Sequence, residues 1–210
     1  MNIKSETQSL ESIFAGVETR YAVPHYQRDY SWSYDQRLEI WNDIHSAFKN
    51  NSDYFLGSFV LNTENIKSTG KQEIVDGQQR LTTLTTLFAA IRDISNTYLE
   101  QPEKPEFDAI NRLDKKNKKA AKKAYLMASQ LIVHYSEPDN FYLELNSKDQ
   151  PKFRTEIQEE GAALLTKDDQ KTYHSEPRVL KAKKFFSRKV VEAFLPNSDC
   201  FQKLERFITY

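Results

Sequence analysis

Apolar residues at helical spacing divide the first half of the chain into three helices. Residues 10–17 carry such a pattern and are predicted to form the first helix. Ser33 and Gln36 have the spacing of a capping box, which predicts that a second helix begins there. The third helix is the longest, and its pattern runs over about 77–98.

Short apolar runs between these helices predict three strands. Tyr21 and Val23 alternate with polar residues, and Pro24 either ends that strand or confines it to the edge of a sheet. The run YFLGSFVLN at 54–62 is typical of a buried strand. A polar connection leads from it to QEIVD at 72–76, so the two runs are predicted to form a hairpin.

The second half of the chain is patterned mainly as helix. Two prolines in the polar segment 101–107 mark the clearest boundary, which divides the chain into 1–100 and 101–210. We predict an α+β fold, with a small sheet and helices before this boundary and a mainly helical lobe after it. The elements predicted in the lobe are a helix within 109–135, a short strand at 141–149, a short helix near Phe153 and Ile157, a helix capped by Ser175, and a last helix through Ile208.

Composition and charge exclude several classes of protein. The 210 residues are 39% hydrophobic, which argues against disorder, and 30 Lys and Arg balance 30 Asp and Glu. Nucleic acid would therefore have to bind a local patch, because the net charge does not attract it. No apolar run is long enough to span a bilayer and no signal peptide is visible, so we expect a soluble, cytoplasmic protein. The sequence does not set its oligomeric state.

Cysteine and histidine give no sign of a disulfide or metal centre. Cys200 is the single cysteine, which fits a reducing compartment. The four histidines, at 25, 45, 134 and 174, have no partner at metal-ligand spacing. A zinc site is therefore not expected.

The stretch EIVDGQQRLTTL places five polar or small residues, 76–80, at a strand-to-helix corner. A helix N-terminus offers unpaired N–H groups and a positive dipole end, and Gly77 lets a phosphate approach the backbone. Gln78 and Gln79 add amide donors, and Arg80 can fork onto two phosphate oxygens. Asp76 can cap the helix or hold Mg²⁺. The structural alternative is an Asp-Gly turn, an ordinary cap and exposed helix-forming side chains.

A second cluster is PHYQRDYSW, at 24–32, which we call the YQR loop. Amide, guanidinium and aromatic groups in one loop can hold phosphates and stack on a base. The alternative is an aromatic loop packed under a helix, with its arginine paired to Asp29 or Asp35. The side chains concerned are Gln27, Arg28, Tyr30 and Trp32.

The order PHYQRDYSW, YFLGSFVL, EIVDGQQRLTTL strongly resembles the DGQQR-motif family. That family supplies the N-terminal half of GmrSD-type, modification-dependent restriction enzymes and related phage-defence proteins, and the resemblance is close over about 10–100. It implies a core similar to ParB and sulfiredoxin. It also implies a site that binds a nucleoside triphosphate and supports its hydrolysis with Mg²⁺, with GTP as the first substrate to test.

The resemblance also implies which residues form this site. Arg80 and Arg28 would stabilise developing negative charge, Gln79 would act beside them, and Asp76 would serve catalysis or bind the metal. Sulfiredoxin has a cysteine at the equivalent helix start, whereas this chain has glutamine there, so thiol chemistry is excluded. The residues carried over by position as nucleotide-binding are Gln27, Arg28, Tyr30, Gly57, Ser58, Asp76, Gly77, Gln78, Gln79 and Arg80.

The resemblance ends before one expected part. In the family a C-terminal module with His-Asn-His nuclease chemistry usually follows, and nothing in 101–210 resembles it, since His134 and His174 are isolated. The last helix runs to Tyr210 without a stop signal, so we expect the natural protein to continue into that module. The chain alone is then not expected to cut DNA.

A run of lysines supports a second hypothesis, in which the chain is a DNA-binding or modification-reading module without hydrolytic activity. As one helix face the lysines can follow DNA phosphates, although they can equally form a solvated surface. A third hypothesis is an interaction scaffold whose cleft is inactive. The lysines are Lys115, Lys116, Lys118, Lys119, Lys122 and Lys123.

Overall fold

The computed structural model describes residues 5–14, 20–110, 114–133, 141–146, 148–161 and 176–210. Within these ranges the chain forms eight α-helices and a four-stranded sheet. The helices are α1 (Leu10–Phe14), α2 (Tyr34–Asn50), α3 (Ile66–Thr69), α4 (Gln78–Glu100), α5 (Lys115–Gln130), α6 (Gln150–Phe153), α7 (Arg178–Phe194) and α8 (Cys200–Thr209). The strands are β1 (Tyr21–Ala22), β2 (Val60–Asn62), β3 (Gln72–Asp76) and β4 (Leu143–Glu144).

The strands form one mixed sheet in the order β2-β3-β1-β4. β2 and β3 are the antiparallel arms of the predicted hairpin, and β1 runs parallel to both β3 and β4. β4 comes from the second half of the chain, so both halves build this sheet. The α+β prediction is confirmed, while the boundary at 101–107 and the likeness to ParB and sulfiredoxin stay predictions.

The predicted buried strand at 54–62 is wrong in its length and its burial. Only Val60–Asn62 pair as a strand, and the Phe55 side chain is 80% exposed. Gly57 adopts a φ of 91°, which interrupts the extended backbone. The neighbouring carbonyls of Leu56 and Ser58 accept hydrogen bonds from a side chain of α4, and a strand ladder would have needed those groups.

The long helix α4 lies at the centre of the fold. Nearly all of its side chains are buried, and α5 and α7 pack on it. Its threonine-rich first half, TTLTT, is compatible with burial because four hydroxyls, at 82, 83, 85 and 86, donate to the carbonyl four residues earlier at 2.7–2.9 Å. The polar groups of these side chains are thereby satisfied inside the helix.

A buried ionic network fixes α4 against the segment after α6, which continues as one π-helical turn over Arg154–Gln158. Arg92 donates to Asp93 and to the carbonyls of Ile157, Gln158 and Glu159 at 2.6–3.0 Å. Lys183 of α7 lies 2.6 Å from the other Asp93 oxygen. Such a network selects one packing arrangement, because each buried charge needs its partner in place.

Aromatic rings of α2, α7 and α8 form the other large part of the core. Ring centroids lie 5.2–6.1 Å apart among Trp41, Phe48, Phe194 and Phe207. This places the aromatic residues of the last helices in the core. Cys200 is buried at the start of α8, and burial raises the pKa of its thiol to about 12, so the thiol is unreactive.

Several sequence predictions are confirmed at residue level. Ser33 and Gln36 form the reciprocal bonds of a capping box at α2. The predicted cap at Ser175 lies outside the described residues, as do His134 and His174. Among the helices that the structure describes, none has both the length and the apolar character needed to cross a bilayer.

Candidate functional site

The corner at 76–80 and the YQR loop, far apart in sequence, are in direct contact. Gln27 Nε2 donates to the carbonyl of Val75, the residue before Asp76, at 2.9 Å. In the opposite direction, Gln78 Nε2 donates to the carbonyl of Arg28 at 3.0 Å. The two motifs therefore hold each other through amide side chains bonded to the backbone.

Gln79 adds two further bonds to the same loop. Its Oε1 accepts from Ser31 N at 2.8 Å, and its Nε2 donates to the carbonyl of Asp29 at 3.1 Å. Between them, Tyr30 is 5% exposed and its hydroxyl lies 2.9 Å from Thr83 Oγ1. Tyr30 is thus an anchor of the loop, and both ends of the Gln79 amide are occupied by protein.

Arg80 is likewise bound to the protein. Its guanidinium donates to the carbonyls of Leu56 at 2.7 Å and Ser58 at 2.6 Å. It also lies 3.6 Å from an Asp76 carboxylate oxygen and 5.0 Å from the centre of the Phe59 ring. Its guanidinium nitrogens therefore fasten the segment before β2 to the start of α4.

Two glycines make these contacts possible. A Cβ at position 57 would lie 1.8 Å from Arg80 Nη1, and one at position 77 would lie 2.4 Å from Phe59 Cδ1. Both residues also have positive φ, 91° at Gly57 and 97° at Gly77. The approach to Gly77 that a phosphate was expected to use is covered by the Phe59 ring, and phosphate binding there stays a prediction.

Asp76 does not cap α4, contrary to one of its predicted roles. Gly77 occupies the N-cap position and has no side-chain hydrogen bond, whereas Asp76 faces Arg80 and its side chain is 67% exposed. Among the residues that the structure describes, no group of three His, Cys, Asp or Glu side chains could hold a metal ion. Mg²⁺ at Asp76 stays a prediction that would rely on phosphate oxygens for its other ligands.

An open cleft of about 470 Å³ lies beside the YQR loop. We call it the arginine cleft, because Arg28 of the loop and Arg178 at the start of α7 both line it. Tyr30, Ser31, Asp149 and Glu176 complete most of its wall. A separate cavity of about 10 Å³, with room for about one water molecule, shares Arg28, Tyr30 and Asp149 with the cleft.

The structure brings together only part of the predicted site. Arg28 and Tyr30 line the arginine cleft, and Gln78 and Gln79 line the small cavity. Neither space is lined by six predicted residues that the structure also describes: Gln27, Gly57, Ser58, Asp76, Gly77 and Arg80. Sequence reasoning missed Arg178 and Asp149, and no local pattern around either residue could have identified it.

The carboxylates of the arginine cleft already have partners. The hydrogen bond from Lys148 lowers the pKa of Asp29, and burial raises the pKa of Asp149. The partners are Lys148 for Asp29 at 2.5 Å, Lys184 for Glu176 at 2.6 Å, and the Tyr30 N–H for Asp149 at 2.6 Å.

The two arginines of the cleft, Arg28 and Arg178, have no carboxylate partner among the described residues. Arg178 donates from Nη1 to the carbonyl of Ser31 at 2.6 Å, and no carboxylate in the described part of the chain pairs with it. The Arg28 guanidinium has neither a hydrogen bond nor an ion pair with any described residue, so the expected pairing with Asp29 or Asp35 is not formed. Among the described residues, the two cations of the cleft therefore have no anionic partner.

Comparison with known proteins gives one match. The family model described as GmrSD restriction endonuclease, N-terminal domain, matches residues 10–210. The match covers the YQR loop, the corner at 76–80 and the start of α7 within one domain family. No match was found among curated proteins.

Proposed function

The chain belongs to the family of GmrSD restriction endonuclease N-terminal domains, and on this basis we propose that it binds a nucleoside triphosphate in the arginine cleft. Membership makes it a module of a restriction or defence protein. The nucleotide is our assignment to a particular place in that module. The observation that carries it is the Arg28 guanidinium, which lines the cleft without a partner among the described residues.

The size and position of the cleft support this assignment. Small-molecule sites have volumes of roughly 300–1,000 Å³, and the arginine cleft, at about 470 Å³, falls within that range. It lies where the YQR loop meets Asp149, just before α6, and the start of α7, so residues from distant parts of the chain converge on it. A guanidinium can bind two phosphate oxygens at once, which suits a polyphosphate better than a lysine would.

The polar residues of the two motifs then serve mainly to position the loop that carries Arg28. Gln78 holds the Arg28 carbonyl, and Gln79 holds the loop on either side of Tyr30. Arg80 holds the neighbouring segment before β2. A loop backbone held by such a network needs little reorganisation when ligand binds, which is the property expected of a binding site.

Hydrolysis would need a group that orients water, and Gln78 is the candidate. Its Oε1 is buried without a hydrogen-bond partner in the described structure and lies at the water-sized cavity that adjoins Arg28. Gln79, predicted for catalysis, has both amide ends engaged. We propose that Arg28 stabilises the charge that develops on the phosphates, to which Mg²⁺ would bind; Asp76 lines neither the cleft nor the small cavity and has no part in this step.

Calorimetric titration with GTP, ATP, CTP and UTP in the presence of Mg²⁺, followed by phosphate-release assays, tests this function. Arg28→Ala should abolish binding, whereas Lys181→Ala should bind normally, since it removes a charge from α7 away from the cleft. A wild-type chain that binds no nucleotide, or an Arg28→Ala variant that binds as well as the wild type, would refute the proposal.

A second function, DNA binding, is favoured by the lysines of α5. The helix buries Asn117 and four alanines against its neighbours, so the lysines share the exposed side. Lys123 pairs with Glu205, but no other lysine of the run has an ion pair within the described residues. Several of them occupy the first turn, where the helix dipole disfavours cations, so an external anion would relieve that cost.

A further inference from the structure

Arg37 is a buried cation without a polar partner. The residue, in the first turns of α2, is 7% exposed, and its Nε is fully enclosed. No described residue gives its guanidinium a hydrogen bond or an ion pair, and its one charge-related contact is the Phe185 ring at 5.7 Å. Burial lowers the pKa of Arg37, yet an arginine side chain keeps its proton in proteins.

Such a group is costly to the folded protein. A buried charge lacking a counter-charge and hydrogen bonds destabilises a protein, and the ring contact offsets only part of that penalty. Natural sequences retain destabilising groups of this kind mainly at functional sites. An anion that bound near Arg37 would supply the counter-charge and the hydrogen-bond acceptors that the described residues do not provide.

The surroundings of Arg37 place it behind the wall of the arginine cleft. Burial is the main cause of the lowered pKa of Arg37, and the charge of Arg178, which lines the cleft, lowers it further. Tyr34, one turn earlier in α2, packs edge-on against Phe185 of α7, with ring centres 5.3 Å apart. The first turns of α2 and α7 therefore meet at this wall.

Arg178, at the start of α7, lines the cleft with its positive charge. It is oriented by its hydrogen bond to the Ser31 carbonyl, which leaves its other nitrogens without a described partner. The carboxylates nearby are bound to Lys148, Lys184 and the Tyr30 N–H. The guanidinium groups of Arg28 and Arg178 thus line a space whose described carboxylates already have partners, while Arg37 of α2 is buried and does not line that space itself.

We propose that Arg178 and Arg37 form an anion-binding wall that takes the polyphosphate of the nucleotide together with Arg28. This inference rests on the proposed function and adds two residues that lie outside the YQR and DGQQR motifs. The bound anion neutralises the repulsion between the two arginines and compensates the buried charge. Ligand binding therefore links α2 to α7, and the anion stabilises the folded chain by an amount that rises with the logarithm of its concentration above the dissociation constant.

Sodium tripolyphosphate is the appropriate probe, because it carries the phosphate chain without a base. Its affinity is measured by calorimetry for the wild type, Arg178→Gln and Arg37→Met, beside GTP with Mg²⁺. Arg178→Gln keeps an amide donor for the Ser31 carbonyl but removes the charge, and Lys181→Ala is the matched loss of charge on α7. We expect at least about a tenfold loss of tripolyphosphate affinity in both cleft variants and none in Lys181→Ala.

Arg37→Met should also change the melting temperature in a way that distinguishes an anion-binding arginine from one that only stabilises the fold. Replacing a buried, unpaired charge by an apolar side chain should raise the melting temperature of the unliganded protein while weakening its stabilisation by tripolyphosphate. A lower melting temperature without ligand would overturn the assignment of Arg37. If the variant does not fold, that assignment fails equally, because the charge was then needed by the fold.

The outcomes separate this inference from the proposed function. If Arg28→Ala loses both ligands but Arg178→Gln and Arg37→Met bind them as the wild type does, the wall is refuted and the nucleotide site stands. If the wild type binds tripolyphosphate through these arginines but no nucleotide, the wall stands and the proposed function fails. If the wild type binds neither ligand, both are refuted.

Discussion

Arg80 and Gly57 lie so close together that a side chain at position 57 would displace the guanidinium and strain the backbone, whose φ is 91°. The guanidinium of Arg80 donates to the carbonyls on both sides of the glycine, those of Leu56 and Ser58, and a Cβ would lie 1.8 Å from Nη1. The arginine of the most recognisable motif in the chain is thus bound to backbone. In the proposed function it contributes to nucleotide binding only through the segment that it fastens.

Arg80→Ala is therefore expected to weaken the fold locally. The loss of two charge-assisted hydrogen bonds should cost about 2 kcal/mol of unfolding free energy, discounted for the partial exposure of the side chain. Urea unfolding measures this cost, and limited proteolysis should show faster cleavage within 54–59. Arg188→Ala, which removes an exposed i,i+4 pair with Glu192, is the control and should change stability by less than about 0.5 kcal/mol. Equal stability of the two variants would contradict the anchoring role.

Gln79→Ala should loosen the YQR loop from α4. The substitution leaves the Ser31 N–H and the Asp29 carbonyl without their partner, so we expect a loss of about 2 kcal/mol in unfolding free energy. If the loop positions Arg28, nucleotide affinity should fall as well. Gln130→Ala, at an exposed position at the end of α5, controls for the loss of a glutamine. Unchanged nucleotide affinity in a measurably destabilised Gln79→Ala variant would show that the loop does not position the site.

The sequence predicted the elements whose signals are local. The period of apolar residues located α4 and α7, the Ser33 and Gln36 pair located the start of α2, and the polar connection located the hairpin of β2 and β3. These features depend on residues a few positions apart. They could be read without knowing what packs against them.

The features that the sequence did not predict depend on contacts between residues distant in the chain. The segment at 54–59 has an apolar strand pattern, but Arg80 takes its carbonyls and holds it in another conformation. Arg178 reaches Ser31 across 147 positions, and no spacing rule predicts that it lines the same cleft as Arg28. The donors of Gln78 and Gln79 were correctly placed at the corner, yet they bind backbone that only the tertiary fold brings to them.

His45 should make stability fall on the acid side of its titration. The imidazole stacks on Trp41 at 5.2 Å and packs edge-on to Phe194, and burial lowers its pKa below 6.5, with Lys49 and Lys189 adding to the effect. The unfolded chain then binds the proton more readily than the folded one, so stability is full above 6.5 and declines as the pH falls below it.

The measurement is the difference in unfolding free energy between about pH 7.5 and about pH 5.5, for the wild type and for His45→Gln. The variant should lose less stability over this interval, because it lacks the titrating group, while the contributions of carboxylates are common to both proteins. An identical pH dependence in the two proteins would show that His45 is not linked to folding.

The lysine face of α5 predicts a salt-sensitive interaction with DNA, and the salt dependence is what distinguishes it from adventitious binding. Each phosphate contact made by a lysine contributes about −0.9 to the slope of log K against log salt for duplex DNA. Replacing Lys118, Lys119 and Lys122 by alanine should therefore reduce the magnitude of the slope by about 2 to 3 and weaken binding at low salt. Fluorescence anisotropy with a labelled duplex measures both quantities.

The matched control removes the same charge elsewhere, at Lys49, Lys67 and Lys181, which like the three substituted α5 lysines have no ion pair with described residues. If net charge alone attracts DNA, both triple variants lose affinity equally and the α5 face has no special role. If only the α5 variant changes slope, the face is the contact surface. Adding tripolyphosphate then tells the two sites apart, since a ligand held in the arginine cleft should leave the slope of DNA binding at α5 unchanged.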